Sequence, residues 1–126
     1  MEQPKLLLYN LTNAKGNKIE KLCNRLTITV RHINIPEYKE SIGFLAGLPG
    51  TWETGLTENE NTDTFEDEML ILVDFTDALL NTFLKEFRIQ HIEPVELKAI
   101  VTAQNRTWNS MQLHEELNRE RKAFGR

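Results

Sequence analysis

One pattern runs through this chain twice. A short apolar run, Lys5 to Tyr9, ends at Asn10 and continues as Leu11-Thr12-Asn13; a second, Met69 to Val73, ends at Asp74 and continues as Phe75-Thr76-Asp77. Each run is bounded by turn-forming polar residues and is shorter than a buried helix, so each reads as a strand covered on both faces. A Thr and an Asn or Asp then stand where a following helix needs a cap. Halves that open this way point to an α/β architecture, because parallel strands need a long crossover and a helix is the usual one.

The rest of each half fits that expectation. Ile19, Leu22, Cys23 and Leu26 recur at helical spacing after Thr12 or Asn13, with Gly16 weakening the first turns. Thr27 to Ile33 alternates, which predicts a second strand with Ile28, Val30 and Ile33 facing in. Asn34-Ile35-Pro36-Glu37 has the form of a capping box with Pro in the first turn, predicting a short helix through Tyr38, Ile42 and Leu45 that Pro49 stops. In the second half, Thr76 or Asp77 caps a helix whose apolar side carries Leu79, Leu80, Phe83, Leu84 and Phe87. Glu96 to Val101 is the fourth strand. Asn109 and Gln112 cap a last helix with Leu113, Leu117 and Phe124 on its apolar face and Glu115 spaced to pair with Arg119.

The chain of 126 residues is therefore expected to form a single α/β domain, two βαβα repeats around a four-stranded sheet. Its first half is 1–50, its second 69–126. Between them, 51–68 holds seven acids and no base and reads as a solvated loop. Two packings satisfy the pattern: an all-parallel sheet, or a ferredoxin-like βαββαβ sheet with extra helices and the first and third strands central. Both are expected to bring Asn10 and Asp74 together at one sheet edge; the parallel sheet adds Asn34 and Thr102.

Ligands in open α/β sheets bind where strands end and helices begin. On that ground the candidate ligand-binding residues are Asn10, Asp74, Thr102, Asn105, Arg106 and Trp108. Arg106 and the first amides of the last helix would hold a small anion, with Trp108 as a stacking wall. A structural reading stands beside this one. Thr102 and Asn105 are turn-capping types, Trp108 can pack on the sheet, and Asn10 and Asp74 can simply end strands. Gly43 and Gly47, four apart in a short helix, allow close backbone approach; with Phe44 and Trp52 they form a candidate interface, to the sheet or to a second copy.

Several chemistries lack support. The formal charge of −4 argues against nucleic acid as a partner, and the basic stripe Lys15, Lys18, Lys21, Arg25 reads as a solvated helix face. His32, His91 and His114 fall in different elements without metal-ligand spacing, so no metal or cofactor is expected. The single Cys23 sits on an apolar helix face, as a buried inert thiol does, and cannot form an internal disulfide. No nucleophile elbow, phosphate loop or dinucleotide fingerprint occurs. No apolar run is long enough for a membrane span and the first residues show no signal-peptide core, so a membrane partner is not expected and a cytoplasmic location is.

Ile42-Gly-Phe-Leu-Ala-Gly-Leu48, the acidic lead Phe65-Glu-Asp-Glu-Met69, Leu97-Lys-Ala-Ile-Val-Thr102 with Asn105, and Asn109-Ser-Met-Gln-Leu-His-Glu-Glu-Leu117 together resemble a bacterial family, domain of unknown function 3783. The resemblance is most specific over 97–117. Where the family has Pro after the Thr of the strand-end turn, this chain has Ala103. The resemblance implies a bacterial source and no particular chemistry. The function favoured by the sequence is a non-catalytic interaction or regulatory module, acting on an unknown protein partner or on itself. The alternatives are a small-anion or metabolite binder at the Thr102–Trp108 turn and an enzyme with Asp74 as acid–base.

Overall fold

The structure, a computed structural model, describes residues 3–53 and 64–123. Glu58, Glu60 and Asp63 of the acidic segment and the apolar Phe124 lie outside the described residues. The elements are β1 (Lys5–Tyr9), α1 (Ala14–Arg25), β2 (Thr29–His32), a 3-10 turn at Ile35–Glu37 and α2 (Ile42–Leu45). There follow β3 (Met69–Val73), α3 (Asp77–Ile89), β4 (Leu97–Ile100), a second 3-10 turn at Asn105–Thr107 and α4 (Ser110–Ala123). The βαβα pattern thus occurs twice.

Local chemistry places the helix starts. Asn13 caps α1, its side-chain oxygen accepting from Gly16 N at 2.9 Å. Thr76, and not Asp77, caps α3 by accepting from Leu79 N at 3.1 Å. Asn109 and Gln112 cap α4 reciprocally, both bonds at 2.8 Å. The single helix expected from Asn34 divides in two. The Asn34–Glu37 capping box closes only one 3-10 turn, and Ser41 caps a separate four-residue helix. The break follows from a tertiary contact: extended Ser41 forms an antiparallel bridge with Asn109, and Ile42 N donates to Trp108 O at 2.8 Å.

The strand order is β2-β1-β3-β4. β1 pairs parallel with β2 and β3 parallel with β4, while the central pair β1–β3 is antiparallel, with Leu7 opposite Ile71 and Tyr9 opposite Met69. The sheet is mixed. It keeps parallel pairing within each half and puts β1 beside β3, yet it is neither the all-parallel nor the ferredoxin-like arrangement. Each helical crossover fixes the direction of its own strand pair. The long connection between α2 and β3 fixes none, and the antiparallel choice lets two similar halves meet about an approximate two-fold axis. Four non-glycine residues with positive φ mark that likeness: Asn10 (59°) matches Asp74 (57°), and Thr27 (59°) matches His91 (55°), at one sequence separation.

β1 from Leu6 and all of β3 are buried on both faces, as continuous apolar strands must be. Leu6, Leu8, Leu70 and Leu72 pack under α1 and α3 with Ile19, Leu22, Cys23, Phe83 and Phe87. Leu7, Tyr9, Met69, Ile71 and Val73 pack under the other layer with Tyr38, Ile42, Leu45, Phe65 and Leu113. Burying one such side chain contributes about 1.5–3 kcal/mol, which makes these alternating sets the main favourable term. Leu84, expected on the buried side of α3, is 39% exposed, because Phe83 and Phe87 occupy the sheet-facing positions.

Candidate functional site

The antiparallel central pair decides where the candidate residues lie. β1 and β2 end at one sheet edge, β3 and β4 at the opposite one. Asn10, following the residue paired with Met69, and Asp74, following the residue paired with Lys5, are therefore at opposite ends of the sheet. The juxtaposition expected of them does not occur, because it needs β1 and β3 to run the same way. Asp74 and Thr102 share an edge; Asn10 and Asn34 share the other. A single crevice lined by four strand ends is absent from this topology.

At the Thr102–Trp108 turn the polar groups satisfy one another. Asn105 Oδ1 accepts from Thr102 N at 2.8 Å, Asn105 Nδ2 donates to Ile100 O at 3.0 Å, and Thr102 Oγ1 accepts from Asn105 N at 3.1 Å. The Asn105 side chain thereby works as a local turn staple. Arg106 donates through one guanidinium nitrogen to Pro49 O, tying the second 3-10 turn to the segment after α2. Trp108 is half-buried against the apolar layer of α2 and α4. Asp74 is exposed, in the left-handed region.

The four candidate interface residues also separate. Gly43 is buried: a Cβ there would stand 2.7 Å from Thr51 Cγ2 and 3.0 Å from Arg106 O, so its small size is used inside the chain. Gly47 is exposed at φ +71°. Phe44 is half-buried, and Trp52 is 80% exposed.

A cluster not singled out in the sequence lies at the carboxyl end of β1. Asn10 Nδ2 donates to Phe65 O at 2.9 Å and Asp67 O at 3.0 Å, so this residue fastens the chain as it enters β3. The Phe65 ring stacks on His114 with centroids 3.9 Å apart and planes 5° from parallel, and continues into Tyr38 and Tyr9. His114 Nε2 lies 2.8 Å from Asp67 Oδ2 and 3.1 Å from Asn118 Nδ2. The hydrogen bond from His114 holds the Asp67 carboxyl below the usual carboxylate range. With a side-chain exposure of 12% against 46% for Asp67, His114 is covered and works as a clasp between the incoming segment and α4. The only hint of it in the sequence is the one-turn spacing of His114 and Asn118; the distant Phe65 and Asp67 carry no local signal.

Behind the clasp, Tyr9 Oη and Ser110 Oγ, both fully buried, share a 2.6 Å hydrogen bond. Burial pushes the Tyr9 hydroxyl well above its ordinary range and the Cys23 thiol up to about 12. Among the described residues no group of three His, Cys, Asp or Glu side chains is placed to hold a metal ion, and no helix is long and apolar enough to cross a membrane.

The element order β3-α3-β4-α4, with the stapled turn and the Asn109–Gln112 cap, is the part that comparison with known families recognises. Residues 68–124 match DUF3783, a bacterial domain of unknown function. The DUF3783 match contains one whole βαβα half, the Asn105 turn, His114 and Asn118. Phe65 and Asp67, their partners, lie just ahead of it, and the Ile42–Leu48 stretch lies in the other half. No curated protein and no solved structure matches the chain.

Proposed function

We propose that this protein is a non-catalytic interaction or regulatory module that associates through the surface around Trp52, with a second copy as its partner. The observation that carries the reading is Trp52, 80% exposed on the segment that follows α2. A large aromatic side chain left in water costs apolar hydration, and Trp is enriched where it will be covered by another chain. Phe44 and Leu48, which precede Trp52 in the chain, are only half-buried against the core. Two further features support this reading over a ligand site at the strand ends. Asn105 and Arg106 already bond within the chain, and the candidate strand-end residues are split between two edges.

The test is sedimentation velocity over a wide concentration range on wild type and Trp52→Ala, with Trp fluorescence in parallel. Association through this surface gives a concentration-dependent dimer, a blue-shifted emission on association and a monomeric variant that stays folded. A wild type that remains monomeric throughout, with unchanged emission, overturns the proposal.

A further inference from the structure

α1 carries cations where a helix ordinarily disfavours them. Its first turn has no acidic residue and holds Lys15, with Lys18 next, although the helix dipole favours anions there. Glu68 Oε1 neutralises Lys15 at 2.6 Å, and the helix's own Glu20 turns to His32 Nε2 at 3.2 Å. Lys18, Lys21 and Arg25 remain. They form no ion pair with the described residues, and their i, i+3, i+7 spacing sets them on one side of the helix. The dipole accounts for Arg25 in the last turn but not for Lys18. With Asn24, and with Gln90 and Ile92 beyond the end of α3, the three cations line a groove of about 500 Å³. That volume is in the range of small-molecule sites, and no carboxylate lines it.

We propose that this groove binds a small phosphorylated ligand, with its phosphate oxygens held by Lys18, Lys21 and Arg25. Two or three phosphate charges match three unneutralised cations in a space of this size, and Arg and Lys together supply fork and point-charge contacts. The Asn24 and Gln90 amides and the Ile92 side chain provide polar and apolar contacts for the remainder of the ligand. A long polyanion fits less well: the chain as a whole is acidic, and Glu86, which accepts from Gln90 Nε2 at 3.2 Å, stands beside the groove. The groove belongs to the α1–α3 layer, so the proposal does not depend on association through Trp52.

The experiment is calorimetric titration of the full chain with pyrophosphate and, separately, with a nucleoside triphosphate, in about 0.15 M salt where exposed charges are screened beyond roughly 8 Å. Amide chemical shifts are followed in the same samples. Saturable binding is expected with at least one of the two, with shifts concentrated on α1 and residues 90–92. Lys18→Glu/Lys21→Glu weakens it by about tenfold or more, and Glu86→Gln tightens it. Lys85→Glu, an exposed charge reversal on α3 outside the groove, leaves it unchanged. These are surface positions, and a circular-dichroism melt confirms that each variant is folded. Absence of saturation with both probes, shifts centred elsewhere, or an equal loss in Lys85→Glu overturns the proposal.

Discussion

Gly16→Ala reverses the usual sign of a helix substitution. In an exposed helix interior, replacing Gly by Ala gains about 1 kcal/mol, because the backbone loses less freedom on folding. Gly16 stands in the first turn of α1 and is buried, and a Cβ there would lie 1.6 Å from Leu11 O and 2.7 Å from Leu11 C. Ordinary contact begins near 3.4 Å, so α1 and the β1–α1 connection must part by nearly 2 Å. The obstacle is backbone, and it is held on both sides. Leu11 is fully buried in the core, Asn10 before it is in the left-handed region, and the Asn13 cap fastens Gly16 N at 2.9 Å. Backing off loosens the cap and draws Ile19, Leu22 and Cys23 away from the sheet. Overpacking costs about 1–3 kcal/mol, and a backbone obstacle puts this site at the upper end; offset by the propensity gain of about 1 kcal/mol, the net loss is about 2 kcal/mol, a fall in Tm of roughly 8 °C for this size. Urea denaturation reads it as a lower midpoint at unchanged slope. Asn17→Ala, one residue on and exposed, is the control and is expected to be neutral or slightly stabilising. A Gly16→Ala variant as stable as wild type would refute the reasoning.

Tyr9→Phe leaves Ser110 Oγ buried without its 2.6 Å partner and is expected to cost about 1–3 kcal/mol; the double change Tyr9→Phe/Ser110→Ala should cost clearly less than the two single changes added, and strict additivity in denaturation would show that the bond contributes nothing. Asp67 has a folded pKa below its unfolded value, so its stabilisation is fully present above the unfolded value of about 3.9 and is lost as the pH falls through the folded one. Urea midpoints should therefore decline more steeply below about pH 4 in wild type than in Asp67→Asn, and parallel profiles would count against the clasp. Cys23, buried with its thiol at about 12, is expected to resist a disulfide reagent at pH 8 in the native state and to react in step with unfolding; prompt native-state reaction contradicts its placement. Thr27 is β-branched at φ 59°, so Thr27→Asn should raise stability by about 1 kcal/mol, read as a higher denaturation midpoint.

The strands β1 and β3, the cap at Asn109, the pairs Thr12–Asn13 and Thr76–Asp77 that hold the other two caps, and the split into two βαβα halves were legible in the chain, because each rests on contacts within a few residues. Apolar runs bounded by Asn or Asp, 3.6-residue periodicity and side chains that reach the next turn's amides are local signals. The Asn105 staple is of the same kind, which is why a turn rich in polar side chains is readable as self-satisfying from its spacing alone. The direction of β1 against β3 was not legible. It depends on how the two apolar faces close over one sheet, and an apolar run looks the same to a parallel as to an antiparallel neighbour. That one choice sends Asn10 and Asp74 to opposite edges, and tertiary packing sets Ser41 against Asn109 so that α2 starts anew, stacks Phe65 on His114 and pairs Asp67 with the same imidazole. Leu84 is partly outside for another reason: Phe83 and Phe87 fill the sheet-facing positions of α3. Which segments become strands and which become helices follows from short-range hydrogen bonding and the period of apolar residues along the chain. Tertiary structure alone decided which side chains meet, because those contacts join residues far apart in the chain and follow from burying both faces of one sheet at once.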